Sequence, residues 1–336
     1  MRISPLAHQI GRLVVGSRLI NPKDRVLVAV SGGSDSVALL SLFAEIQTLK
    51  SFHLAAVYVD HGWQSVAQRK KNKQWIKRLG VKLNVSVYLA SATTAAKKKK
   101  RTGWEATARL ARYQALERLA KRKRFNVVAV GHTLDDQAET LLLMLCRGSG
   151  LRGAGGMKVS RLLGKTKIRL IRPLLKVRRA QLRSYLKQKK ITWLEDPSNR
   201  EDKFLRNRIR KRVMPRLIRE FGPQLVDRLG TFSALAQEDE QILELQVETW
   251  RRQHLTKRGS RVRFKQAALL NEPVALQRRL VRHAIEIAAG SLKRMTFQHV
   301  DQSLKLLKKK QGESHLPLGV LVEVNQGVVR ICKNGR

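Results

Sequence analysis

Acidic residues are scarce in this chain: 25 Asp and Glu face 69 Lys and Arg, a formal charge of +44 over 336 residues. A compact fold must overcome that self-repulsion, and a polyanionic partner is the readiest relief. An acidic small molecule alone does not call for so large a field; a lineage bias toward basic residues is the competing explanation. Cysteine is nearly absent. Cys146 and Cys332 form no disulfide scaffold and no zinc or iron–sulfur ligand set, and they imply a reducing compartment, cytoplasm or an organellar stroma. No apolar run reaches the roughly 18 residues that span a bilayer. The opening residues lack the apolar core and cleavage site of a signal peptide. A membrane partner is therefore not expected, and the lead-in before Pro22 reads as a short amphipathic helix. The hydrophobic share, 43%, excludes wholesale disorder, and the length suits two domains.

The apolar run VLVAV at 26–30 reads as a buried strand, followed by a small-residue turn at 31–36 and a helix over 37–43. Strands are expected at 52–59, 81–90 and 127–130, and short ones at 168–171 and 191–193. Helices are expected at 66–79, 104–119, 135–146 and 177–189. Strands alternating with helices predict an α/β fold with a mostly parallel, Rossmann-like sheet covered on both faces. The texture then turns helical. The spacing predicts a first domain over 1–212, a linking helical region over 213–230, and a small, mainly helical domain over 231–336. Within it, helices fall at 274–289 and 297–309, and a short C-terminal hairpin at 321–331 turns near Asn325-Gln326-Gly327.

The sharpest local signal is Ser31-Gly32-Gly33-Ser34-Asp35-Ser36, set between a strand and a helix. Small residues let the backbone wrap an anion, and the loop amides and helix start supply partial positive charge. Asp35 does not favour phosphate by itself; a carboxylate there makes sense if it holds Mg²⁺. No lysine precedes Ser36, so this is not the GxxxxGK[ST] loop.

After the strand at 127–130 comes Gly131-His132-Thr133-Leu134-Asp135-Asp136-Gln137-Ala138-Glu139-Thr140. A ligand-facing loop turns into a helix at this place in α/β sheets. Asp136 and Glu139 can share a helical face, and a carboxylate from this loop beside Asp35 would supply oxygen ligands for magnesium. Asp135 serves equally as a helix cap. His132 either donates to a phosphate or moves a proton. Glu105, Arg109 and Arg112 lie near one helical face. An intrahelical pair accounts for Glu105 and Arg109 but leaves Arg112, whose guanidinium suits clamping a phosphate.

The loop at 31–36 resembles the PP-loop of the N-type ATP pyrophosphatases, which implies cleavage of ATP between the α and β phosphates. Further motifs narrow the likeness: VDHG at 59–62, EATARLARY at 105–113, GHTLDDQAET at 131–140, RGSGLRG at 147–153, RPLL at 172–175, WLEDPSN at 193–199, RNRIR at 206–210 and REFGPQLVDRL at 219–229. Together they resemble the tRNA(Ile)-lysidine synthetases over nearly the whole chain. That resemblance implies ATP and Mg²⁺ as cofactors, an isoleucine tRNA with a CAU anticodon and free L-lysine as substrates, and a homodimer as a possible assembly. It implies phosphate binding by Ser31 to Ser36, with the metal between Asp35 and Asp136 and AMP-side contacts from His132. RNA, lysine or transition-state contacts are implied for Arg109, Arg112, Asn199 and Arg206. The chain departs from the family's pattern at Trp63-Gln64 and at Thr133, and it ends without room for the further C-terminal domain of longer members.

A tRNA thiolation enzyme shares the loop and the adenylation, but thiolators that use paired cysteines or a cluster need more than two distant cysteines. A noncatalytic RNA-binding protein on the same scaffold predicts loss of Asp35 or the later acids, and both are retained. The charge is also unevenly spread. Residues 97–124 hold twelve Lys or Arg against two Glu, 158–190 hold thirteen and no acid, and 200–219 hold nine against two acids. Such stretches steer RNA without choosing its sequence.

Overall fold

The computed structural model describes residues 3–62, 64–92, 104–194 and 205–333. The chain divides into two compact units, 1–237 and 238–336. In the first, the elements run α1 (Pro5–Gly16), β1 (Arg25–Ala29), α2 (Ser34–Gln47), β2 (His53–Asp60), α3 (Val66–Leu83), β3 (Ser86–Ser91), α4 (Trp104–Arg122), β4 (Val127–Val130), α5 (Leu134–Leu145), α6 (Leu151–Ala154), β5 (Ser160–Leu162), β6 (Arg169–Ile171) and α7 (Arg179–Gln188). After residue 204 come α8 (Leu205–Arg208), a π-helical turn Ile209–Val213, α9 (Met214–Phe221) and α10 (Leu225–His254), which runs across the division.

The six strands lie in the order β3-β2-β1-β4-β6-β5, all parallel except β5. The chain builds outward from β1 to β3, then crosses back to place β4 on the other side of β1. That reversal opens a crevice beyond the carboxyl ends of β1 and β4, where the loops 30–33 and 131–133 emerge. Burial on both faces explains why β1 and β4 read as continuous apolar runs. Val26 and Val28 pack with Val37, Leu40, Phe43, Leu182 and Leu186 on one side, while Leu27 and Val128 pack with Leu116, Leu119 and Ala120 on the other. Each such buried side chain contributes roughly 1.5–3 kcal/mol. A polar lock joins α2 to α7: Glu45, 1% exposed, accepts from Tyr185 Oη at 2.6 Å and pairs with Lys189 at 3.0 Å.

Two local expectations shift. The segment 81–85 does not open a strand; α3 continues through Leu83, and Asn84 closes it in the left-handed region. Residues 191–193 join no ladder. Instead the amide of Leu194 donates to Gly32 O at 2.9 Å, drawing the chain over the small-residue loop. Within the first unit, Met214 and Val226 are buried among Ala138, Leu143 and Ile209.

In the second unit β7 (Thr256–Arg258) and β8 (Arg261–Lys265) precede α11 (Gln266–Leu270), α12 (Val274–Ala289) and α13 (Phe297–Leu306), followed by β9 (Gln311–Leu316), β10 (Val320–Asn325) and β11 (Val328–Lys333). The two longer helices and the hairpin turning through Gln326-Gly327 lie where the sequence places them. The hairpin is the middle of a larger structure, a five-stranded antiparallel sheet ordered β7-β8-β11-β10-β9. Val262, Phe264, Val322, Val324, Val329 and Ile331 bury one face of that sheet with Leu280, Ile285 and Leu304 from the helices.

Candidate active site

The loop leaving β1 enters α2 at Ser34 with Gly33 as its N-cap, and no side chain caps the helix. The first amides of a helix lack partners within it, so this end keeps donors for an anion. Ser36 Oγ holds the loop from inside, accepting from the Ser31 amide at 3.1 Å and donating to Gly33 O at 2.9 Å. Gly32 turns with φ +97°, and a Cβ there would meet the Leu194 side chain at 2.9 Å. Gly131 is tighter: a Cβ would stand 2.8 Å from Asp35 O, so the end of β4 abuts the start of α2 only because the side chain is missing. A cavity of about 630 Å³ opens here, lined among others by Ser31, Ser34, Asp35, His61, Arg112, His132, Asp136, Arg179, Arg183 and Arg210.

Thr133 caps α5, its Oγ1 accepting from the Asp136 amide at 3.3 Å while Asp136 Oδ2 accepts from the Thr133 amide at 2.9 Å. This reciprocal capping box leaves Asp135 free of the capping role considered for it. Asp135 Oδ2 instead accepts from the backbone amide of Arg179 at 2.7 Å, in the first turn of α7. The Arg179 side chain then reaches three acids. Nε donates to Asp35 Oδ2 at 2.9 Å, Nη2 to Asp136 Oδ1 at 3.0 Å, and Nη1 lies 3.5 Å from Glu139 Oε1. Arg210 donates from Nη2 to Asp136 Oδ1 at 2.6 Å and from Nε to Glu139 Oε1 at 2.7 Å, with Arg206 behind at 3.4 Å from both acids. Asp136 and Glu139 are 5% and 2% exposed. Buried carboxylates persist only when paired, and here three guanidiniums pair them.

These neighbours set the protonation states. Burial works against the Asp136 charge, yet Arg179, Arg206 and Arg210 outweigh it and hold this carboxyl well below the usual range. Burial wins at Asp35, which is raised despite Arg179. His132 is held well below its ordinary value, chiefly by burial and then by Arg172, Arg109 and Arg112, against the pull of Asp136. The guanidinium carbons of Arg109, Arg112 and Arg161 stand 5.2, 5.5 and 5.1 Å from the centroid of the Tyr113 ring. Burial would raise the Tyr113 hydroxyl, but Arg109, Arg112 and Arg172 bring it down to about 8.

The fold thus gathers Ser31, Gly33, Ser34, Asp35, Ser36, His132, Asp136 and Arg112 around one cavity. Arg109 sits one turn from Arg112 against the same tyrosine ring, and Arg206 braces Asp136 and Glu139. Asn199 lies outside the described residues, as does the Glu105 side chain. At 59–62, Asp60 pairs with Lys73 at 2.7 Å and accepts from the Gly62 amide at 2.9 Å, while Val59 and His61 line the cavity. Sequence reasoning missed Arg179, Arg210 and the pairing role of Glu139. The four-residue spacing of Arg206 and Arg210 was the one signal for the second of these.

A PP-loop domain model matches residues 4–217. The chain is 32% identical to the tRNA(Ile)-lysidine synthase of Nostoc sp., covering 98% of this chain and 97% of that protein. It is 35% identical to the enzyme of the same name from Gloeobacter violaceus, covering 91% and 90%. Against the longer tRNA(Ile)-lysidine synthase of Solibacter usitatus it is 33% identical and spans 62% of that protein's length. Among solved structures, the U34-tRNA thiolase NcsA from Methanococcus maripaludis, with its 4Fe-4S cluster, superimposes with a TM-score of 0.57 at 16% identity, covering 69% of this chain and 79% of that one. At that identity the likeness is one of fold. The cavity at the β1–β4 crevice, the match to the PP-loop model and the near full-length identity to these synthases together show that the chain belongs to the tRNA(Ile)-lysidine synthase family of PP-loop ATP pyrophosphatases.

Proposed function

We propose that this chain joins free lysine to C2 of the wobble cytidine in an isoleucine tRNA with a CAU anticodon. In the first step the cytidine O2 attacks the α-phosphorus of ATP and diphosphate leaves. In the second, the lysine ε-amine attacks C2 and the C2–O2 bond breaks, releasing AMP. A bare cytidine oxygen is a poor leaving group; as part of AMP it departs readily. The observation that carries the reading is one cavity lined by the uncapped 31–36 loop, Asp35, Asp136, His132 and Arg112 in a chain of this family.

In this reading the loop amides and the hydroxyls of Ser31 and Ser34 receive the diphosphate portion of ATP. Arg112, stacked on Tyr113 beside Arg109, offsets charge that grows at the α-phosphate. Arg206 and Asn199 are assigned RNA or lysine contacts. Asp35 and Asp136 are the residues that would hold magnesium: both line the cavity and both offer the hard carboxylate oxygens that this ion takes. When bound there with ATP, Mg²⁺ supplies charge neutralisation to the phosphates.

The test is direct. The protein, ATP, Mg²⁺, labelled lysine and a CAU-anticodon isoleucine tRNA transcript are incubated together. Lysine incorporation that vanishes when the wobble cytidine is replaced is the expected result. No incorporation, with sulfur entering the tRNA when a sulfur donor is supplied, would overturn the reading in favour of thiolation.

A further inference from the structure

Arg172 follows β6 directly and is 3% exposed. Its backbone amide donates to Val159 O at 2.8 Å and its Nη1 to Lys158 O at 2.6 Å, so the guanidinium has a fixed orientation. From that position Nε donates to Nδ1 of His132 at 3.3 Å. No carboxylate pairs with Arg172 among the described residues. Its side-chain hydrogen-bond partner in the site is the His132 ring, an unusual use of a buried cation.

The chemistry of the histidine contact leaves one choice. A guanidinium has five N–H donors and no acceptor, and it keeps its proton in proteins. The Nδ1 of His132 must therefore supply a lone pair, and the single proton of the neutral ring then sits on Nε2. A doubly protonated ring would set N–H against N–H beside a second positive charge. We infer that Arg172 is a positioning residue that locks His132 as the neutral Nε2–H tautomer. His132 is thereby a hydrogen-bond donor to an anionic oxygen in the cavity and is withdrawn from service as a base.

The surroundings agree with this assignment. His132 lines the cavity beside Ser31 and Asp35. Its own amide donates to Val130 O at 3.0 Å, which anchors the ring's backbone to the end of β4. Burial and the three nearby arginines disfavour the imidazolium. Of the two roles the sequence leaves open for His132, donation to a phosphate remains. The proton shed by the lysine amine must go to another group.

The tautomer rests on geometry alone, whereas its effect on rate rests on the lysidine-forming reading, so the two are tested separately. The full-length protein is labelled with ¹⁵N-histidine, and two-bond ¹H–¹⁵N correlations report the tautomer of each ring. His132→Gln identifies the His132 signals. The expected wild-type pattern is Nε2–H with Nδ1 unprotonated. In Arg172→Met the ring is expected to lose that single pattern, and tRNA-dependent diphosphate release should fall roughly 10–100-fold with KM for ATP unchanged. Arg172→Lys, which restores a donor, should recover part of both. An Nδ1–H or imidazolium pattern in the wild type overturns the inference, and so does an Arg172→Met protein with unaltered pattern and rate. Should Arg172→Met fail to fold, the wild-type spectrum decides the tautomer. Loss of lysine incorporation with the expected tautomer would count against the reaction, not against the lock.

Discussion

Arg179 donates its Nε to Asp35 Oδ2 across 2.9 Å in space and 144 residues of sequence. The same guanidinium holds Asp136 at 3.0 Å, so the acid of the first loop and the acid of the second meet through one cation. Removing that cation leaves the half-buried Asp35 without its arginine partner, close to an Asp136 that keeps only Arg206 and Arg210. Arg179→Met should destabilise the protein by about 3–5 kcal/mol at neutral pH, the usual cost of breaking a buried pair from one side. The pH dependence follows from the sign of the shifts. The folded-state value of Asp136 is depressed, so its contribution is present above the ordinary carboxylate range and lost as pH falls through its lowered value. The raised Asp35 works oppositely, its contribution being greatest in acid and lost as pH rises through its folded value. Urea midpoints of wild type and Arg179→Met should therefore converge on acidification. A gap that stays constant down to the acid limit would mean that Arg179 acts by packing alone.

Asp35→Asn separates chemistry from binding. The change keeps the shape of the loop and removes one of the two carboxylates. We expect lysine incorporation to fall by more than about 100-fold, as befits the loss of several kcal/mol of metal-assisted stabilisation. tRNA affinity should change little, since RNA binding draws on the basic surface. Equal loss of turnover and affinity, measured by filter binding on the same preparation, would contradict a metal role for Asp35.

Tyr113 carries a spectroscopic signature of the arginine cluster. Its hydroxyl is brought down to about 8 by Arg109, Arg112 and Arg172 against the effect of burial. One of the chain's four tyrosines should therefore ionise near pH 8 when absorbance is followed at the phenolate band. Because the folded value is depressed, the associated stability appears as pH rises through about 8 and is complete above the unfolded value. Arg112→Met should move this titration upward. A set of four tyrosines that all titrate at ordinary alkaline pH would show that the guanidinium charges are screened at the ring.

The parts that could be read from the chain are those where chemistry is local. An apolar run ending in Ser31-Gly32-Gly33-Ser34 declares a strand, a tight turn and an anion cradle within a short stretch. Asp136 and Glu139 reveal a shared helical face by spacing alone. Arg179 offers no such sign, because it sits in a stretch where 158–190 hold thirteen bases and no acid. Only the crossover that sets β4 beside β1 selects this arginine from its neighbours. Asp135 was undecidable for a similar reason, since its partner is a backbone amide 44 residues away. The residues 191–193 are apolar enough for a strand, yet Leu194 spends its amide on Gly32. In the second unit the hairpin was visible because Asn325-Gln326-Gly327 marks a turn between two valine-rich runs. The strands β7 and β9 are built of Thr-Lys-Arg and Gln-Gly-Glu-Ser-His-Leu, and they pair because the sheet's inner strands offer edges.

That sheet also gives the excess charge a place to be tested. Along β8, Arg261, Arg263 and Lys265 are exposed while Val262 and Phe264 are buried, so the three bases share the open face. Arg258 lies opposite Arg261, and Arg330 lies opposite Arg263. Like charges directly opposed across strands are destabilising, and the acids on this face are Glu323, 3.3 Å from Arg330, and Glu313, which lies opposite Glu323 and 3.5 Å from His315. A phosphate backbone laid on this face would offset that repulsion. Arg261→Gln, Arg263→Gln and Lys265→Gln combined should weaken tRNA binding by a similar factor for isoleucine and other tRNAs, because phosphate contacts carry no sequence information. The slope of log affinity against log salt should become shallower by about 1 for each phosphate that is no longer neutralised. Thermal stability should hold or rise as the repulsion is relieved. If affinity and salt slope both stay at the wild-type values, RNA does not use this face, and the basic stretches of the first unit carry the electrostatic attraction alone.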